Sequence, residues 1–142
     1  MKFTFSLEPV LKVRKHREKI QKQKLAEKLT EKKQLTERRE KLKKKLEHCL
    51  VNAEQDEPES IRKLRRQSKY LQQIRRNMEE LNMELKKVEG EVEEEREKLA
   101  AVHQKRHIME KVKEKERREM AEKLAKREQK IMDEIATQTF SN

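Results

Sequence analysis

The sequence predicts an all-α protein: a long antiparallel two-helix coiled coil, a helical hairpin, with an extension of its C-terminal helix. Three observations predict it. Two heptad-patterned stretches flank a single break at Asp56-Glu57-Pro58-Glu59-Ser60. Charged residues make up 47% of the chain, with one glycine and no tryptophan. The apolar share of 32%, with three phenylalanines, is too small to fill a globular core but recurs at a helical period, which separates this chain from a disordered one.

Helix one is expected over about residues 7–53, roughly 70 Å at about 1.5 Å per residue. Leu7, Leu11, Leu25, Leu35, Leu42, Leu46, Cys49 and Ala53 share one heptad frame, with Leu29 and Leu50 beside it. Arg14, Glu18, Gln21, Lys28, Lys32 and Arg39 occupy its remaining slots, where stems can pack while charged heads reach water. So interrupted a seam predicts marginal stability for the isolated protein. Pro9 falls in the first turn, where proline is tolerated.

The hinge is expected at 54–60. Pro58 offers no amide proton and disfavours helix in Glu57, while Ser60 suits an N-cap. Helix two then runs over about 61–136, roughly 114 Å. Leu71, Ile74, Met78, Leu81, Leu85, Val88, Val92, Leu99, Val102 and Met109 make its seam, with polar slots at Glu95 and Arg106. Past Met109 the phase is expected to move to a sparser stripe of Val112, Met120, Leu124, Ile131 and Ile135. Gly90 reads as a surface glycine costing about 1 kcal/mol relative to alanine. The whole of 1–142 is read as a single coiled-coil domain.

The short connection favours an antiparallel pairing over a parallel dimer, and charge supports it. A fold centred near residue 57 puts positions 79–97, with nine acids and three bases, beside 17–35, with seven bases and three acids. Exposed pairs contribute only about 0–1 kcal/mol each, so the pattern sets register more than stability. The formal charge is +11, and residues 1–53 hold 17 bases against 7 acids, so helix one carries most of the surplus. Near the hinge, residues 62–76 hold seven bases and no acid, and 38–48 six bases against two acids. Such self-repulsion is reasonable where an acidic partner relieves it.

Catalysis is not expected, because a helical rod encloses no pocket. A single glycine rules out a phosphate-cradling loop. His103 and His107, four apart, lack the third ligand of a metal site, and His16 and His48 stand apart in sequence; no metal and no cofactor are expected. Cys49 alone forms no disulfide framework and reads as a small seam residue. The longest apolar run, Leu99 to Val102, falls far short of the roughly 20 residues that span a bilayer. Nucleic acid is a weaker candidate than protein: glutamates interrupt the basic stretches, and Tyr70, the one tyrosine, makes no stacking platform. A basic coiled coil that binds nucleic acid, or a structural rod, stands as the alternative.

The two ends carry the most specific signal. The opening Phe3-x-Phe5-x-Leu7-Glu8-x-Val10-Leu11-x-Val13-Arg14 and the closing Glu128-Gln129-Lys130-x-x-Asp133-Glu134-Ile135-Ala136 resemble the FliJ family, the coiled-coil stalk of the flagellar type III export ATPase. The resemblance implies a non-enzymatic hairpin. Its terminal ends would insert into the flagellar export ATPase hexamer, through Leu7, Leu11, Arg14, Arg127, Asp133, Glu134 and Ile135. Nearer the hinge it would touch an export-gate membrane protein, here through Leu46, Leu50, Tyr70 and Ile74. It also implies escort of export chaperones and a cytoplasmic location, peripheral to the cell membrane at the flagellar base.

Overall fold

The computed structural model describes residues 2–55 and 61–141, with side chains over 2–52 and 61–140. The expected break at Pro58 and the N-cap at Ser60 lie outside the described residues. Two helices account for almost all the rest: α1, Glu8–Gln55, and α2, Ile61–Ser141, packed antiparallel as a helical hairpin. At the start of α1 the amide of Glu8 donates to the Phe5 carbonyl (3.2 Å) and that of Leu11 to Leu7 (3.0 Å). Glu8 thus opens the helix where its negative charge suits the dipole. α2 continues past the Ala136 end expected from sequence, and the hydroxyls of Thr137 and Thr139 donate back to the carbonyls of Asp133 and Ile135, each at 2.8 Å. Both threonines use the i−4 bond open to that residue type inside a helix.

Contacts divide the chain into two parts, each holding a stretch of both helices: residues 22–98, and residues 1–21 with 99–142. In the 22–98 part, Leu35 of α1 packs with Leu85, Val88 and Val92 of α2, flanked by the half-buried Leu25 and Leu81. These are slots of the two heptad frames, brought face to face. Fully burying such a side chain contributes about 1.5–3 kcal/mol. The polar slots Lys28, Lys32 and Arg39 are half-buried, and Cys49 is half-buried beside Leu42 and Leu46. Lys28 Nζ donates to Glu91 Oε2 at 2.7 Å and Lys32 lies 4.0 Å from Glu89, so the basic flank of α1 does face the acidic flank of α2.

The register differs from the one expected. The midpoint between Lys28 and Glu91 falls at residues 59 and 60, and that between Glu8 and Lys113 at 60 and 61, rather than near 57. Matching Leu35 to Leu85 and Val88 decides the register, because a packed apolar layer outweighs the position of a proline.

In the part made by 1–21 and 99–142, Phe5 and Leu11 are buried, as are Glu18 and Gln21. The seam of α2 does not change phase after Met109. Its half-buried line continues in the same frame through Lys113 and Glu116 to Met120, with Val112 half-buried beside it. The stems of the charged residues fill the slots while their heads find partners: Lys113 reaches Glu8 at 3.0 Å, and Glu116 accepts from the Ser6 hydroxyl at 3.5 Å. Residues 121–140 are exposed at every position.

Candidate functional site

Helix faces and the grooves between them are the surfaces this fold presents. Two open grooves are lined largely by charge, one by Lys28, Glu31, Arg38 and Glu91, another by Phe3, Lys15, Glu110 and Arg117. Among the described residues there is no cluster of three or more His, Cys, Asp or Glu side chains able to hold a metal, and no helix long and apolar enough to cross a membrane. The rings of His103 and His107 stack nearly parallel with centroids 6.2 Å apart.

The arrangement sorts the sequence-predicted contacts. Of the terminal set, Leu7 is exposed and Arg14 half-buried on α1, and Arg127, Asp133, Glu134 and Ile135 are exposed on α2. Leu11 is different: at 1% exposure it belongs to the interior and offers no surface to a partner. Arg14 Nε is buried without a hydrogen-bond partner among the described residues. Leu124, Ile131, Met132, Ile135 and Phe140 stand on the uncovered stretch of α2, the last 91% exposed. Phe140 and Met132 escaped the sequence reading because they fall off the heptad frame; the signal that could have found them is the crowding of large apolar residues into the last turns.

The set nearer the hinge does not form one exposed strip. Leu50 and Tyr70 are exposed, Leu46 is half-buried, and Ile74, 3% exposed, lies in the seam. Heptad spacing foretells this for Leu46 and Ile74, since both fit the frames that pack.

One polar constellation was missed as a unit. Glu18, 5% exposed, accepts from Arg106 Nε, and its other oxygen lies 3.2 Å from His103 Nδ1. Arg106 also donates to Glu110 at 2.9 Å, and its Nη2 lies 3.1 Å from His103 Nδ1. That imidazole nitrogen donates to Glu18 when it carries a proton and accepts from Arg106 when it does not. The bond from Glu18 holds the Arg106 pKa above its ordinary value, against the burial that lowers it. Sequence placed Glu18 and Arg106 in seam slots of their own helices, but only the true register makes them partners.

Two helices packed along heptad seams, with charged grooves and uncovered faces, define an antiparallel coiled-coil protein. The family model described as "Flagellar FliJ protein" matches residues 2–142, and the chain belongs to that family. It is therefore a structural stalk component of the flagellar export apparatus, located at the flagellar base and partnered by that apparatus. No curated protein and no solved structure matches the chain.

Proposed function

We propose that this chain links the export ATPase hexamer to the membrane export gate on the cytoplasmic face of the membrane, docking on the ring by the terminal ends of its helices. The observation that carries this reading is the uncovered stretch of α2. Up to Met120 a line of buried or half-buried positions runs along the helix, whereas over 121–140 every residue is exposed, large apolar ones included. An amphipathic helix face left open in this way suits insertion into a partner groove. Leu7, Arg14, Arg127, Asp133, Glu134 and Ile135 are the contacts to the ring, with Leu11 supporting them from inside. Leu50 and Tyr70 are the contacts to the gate protein, over a base of Leu46 and Ile74. Escort of export chaperones belongs to the same reading and rests on the family likeness. Nucleic acid has no place in it, since the chain offers neither a stacking platform nor an uninterrupted base-reading helix.

Pull-down of the flagellar export ATPase with full chains carrying Ile131→Asp and Ile135→Asp tests the ring contact. Both positions are exposed, so helicity by circular dichroism is expected to stay unchanged while ATPase capture drops at least tenfold, about 1.4 kcal/mol. Undiminished capture would remove the terminal docking surface.

A further inference from the structure

We propose that the outer face at the start of α2, carrying Arg62, Arg65, Arg66, Lys69 and Arg76, is a docking stripe for an anionic lipid surface. At about 100° per residue these five side chains fall within an arc of about 100°, on the side of the helix away from Gln67, Leu71 and Ile74. Those three are half-buried or buried and turn toward α1, whereas all five bases are exposed. The stripe runs about 21 Å along the helix. Its bases form no ion pair or hydrogen bond with any other described residue, in contrast to Lys15, Lys28, Lys32, Lys98, Arg106 and Lys113, which all have acidic partners.

The position of the stripe adds to its field. The first turn of α2 contains no acid, so Arg62 sits where the helix dipole is already positive, and the first acid of the helix is Glu79. Like charge gathered there opposes folding, and an anionic plane relieves it.

Apolar side chains border the charges. Ile61, 72% exposed, lies along one edge of the stripe, and Tyr70, 49% exposed, lies along the other. A row of bases flanked by uncovered aliphatic and aromatic groups matches a helix lying in a headgroup layer, where bases meet phosphates and the apolar groups enter the acyl boundary. Against a nucleic-acid backbone or an acidic protein face, Ile61 would gain nothing by being exposed. The stripe stands on these features alone, whether or not the gate contact is as assigned above.

Co-sedimentation of the full chain with phosphatidylcholine vesicles, with and without phosphatidylglycerol, tests it. Binding is expected only with phosphatidylglycerol, and weaker at high salt. Each base near such a surface contributes about fivefold, so Arg62→Gln/Arg66→Gln/Lys69→Gln lowers the partition coefficient about a hundredfold. A control with the same charge change, Lys12→Gln/Lys19→Gln/Lys24→Gln, stays within a few-fold of the wild type. Ile61→Ser weakens vesicle binding but leaves binding to soluble polyglutamate and duplex DNA unchanged. Equal loss in the control would reduce the effect to net charge and overturn the proposal. So would an unaffected triple variant, equal binding to uncharged vesicles, or an Ile61→Ser variant that binds vesicles like the wild type, the last pointing to an acidic macromolecule instead.

Discussion

Glu18 of α1 and Arg106 of α2 form an ion pair across the hairpin from inside the seam, in slots that coiled coils fill with apolar residues. An ion pair in such a setting recovers its desolvation cost only while both partners are present. Its value lies in register: a slip of one heptad that set Glu18 against Leu99 would set Arg106 against Leu11, stranding both charges.

Removing one partner is therefore expected to do more harm than removing both. Arg106→Leu leaves the Glu18 carboxylate buried without its arginine and lowers the urea midpoint, whereas Glu18→Leu/Arg106→Leu equals or exceeds the wild type. Urea melts of the three proteins, followed by circular dichroism, decide it. A double variant less stable than the single one would show that the pair itself is strongly stabilising.

Arg14 presents the opposite case, a seam position with a buried Nε that meets no acceptor among the described residues. Leaving a donor unpaired costs about 1–3 kcal/mol, so Arg14→Met, which keeps the unbranched stem, is expected to raise stability by about 1 kcal/mol. The same variant is expected to bind the export ATPase less well. Parallel thermal melts and pull-downs would separate the two effects, and a variant improved or impaired in both would deny Arg14 a contact role.

A Cβ added at Gly90 meets no atom within 4 Å, and the backbone there is ordinary helix. Gly90→Ala is accordingly expected to stabilise α2 by about 1 kcal/mol without altering the seam. A lowered melting temperature would mean that the glycine serves a bend or a partner.

The pair of Lys28 and Glu91 sets a pH dependence. The bond from Lys28 lowers the Glu91 pKa, and the bonds from Glu91 and then Glu31 raise that of Lys28. A lowered carboxylate pKa stabilises the fold above the ordinary glutamate range, about pH 4, and that contribution disappears as pH falls through the lowered value. A raised lysine pKa stabilises below the ordinary lysine range, about pH 10, and its share fades as pH rises through the raised value. Glu91→Gln is thus expected to lower stability at neutral pH and to match the wild type in strong acid. A difference between the two proteins that persists in acid would assign it to packing instead.

How far the molecule was legible follows from what each signal measures. Heptad spacing reports which side chains of one helix share a face, and it put Leu35, Ile74, Leu85, Val88 and Val92 in the interior. It is silent on how far one helix slides along the other. Setting the pivot at residue 57 would have turned Glu18 toward Arg96, and a displacement of about three residues at the pivot becomes twice that at the partner. The Glu18–Arg106 pair was hidden for that reason. The expected phase change past Met109 failed on a different point: Lys113 and Glu116 were counted as polar, although a long stem fills a seam slot as readily as an aliphatic chain when its head finds a partner. Leu11 was assigned to a docking face because family motifs mark positions without saying whether a side chain points out or in.

The cluster of Leu35, Leu85, Val88 and Val92 works as a clasp. Wherever charged stems fill the remaining slots, water lies close to the backbone, and strands of solvent can enter without first prising apart a dry layer. Amide hydrogens beside the clasp should consequently be the last to exchange with deuterium, and those over 121–140 among the first. The two helices are thus expected to part last at that cluster.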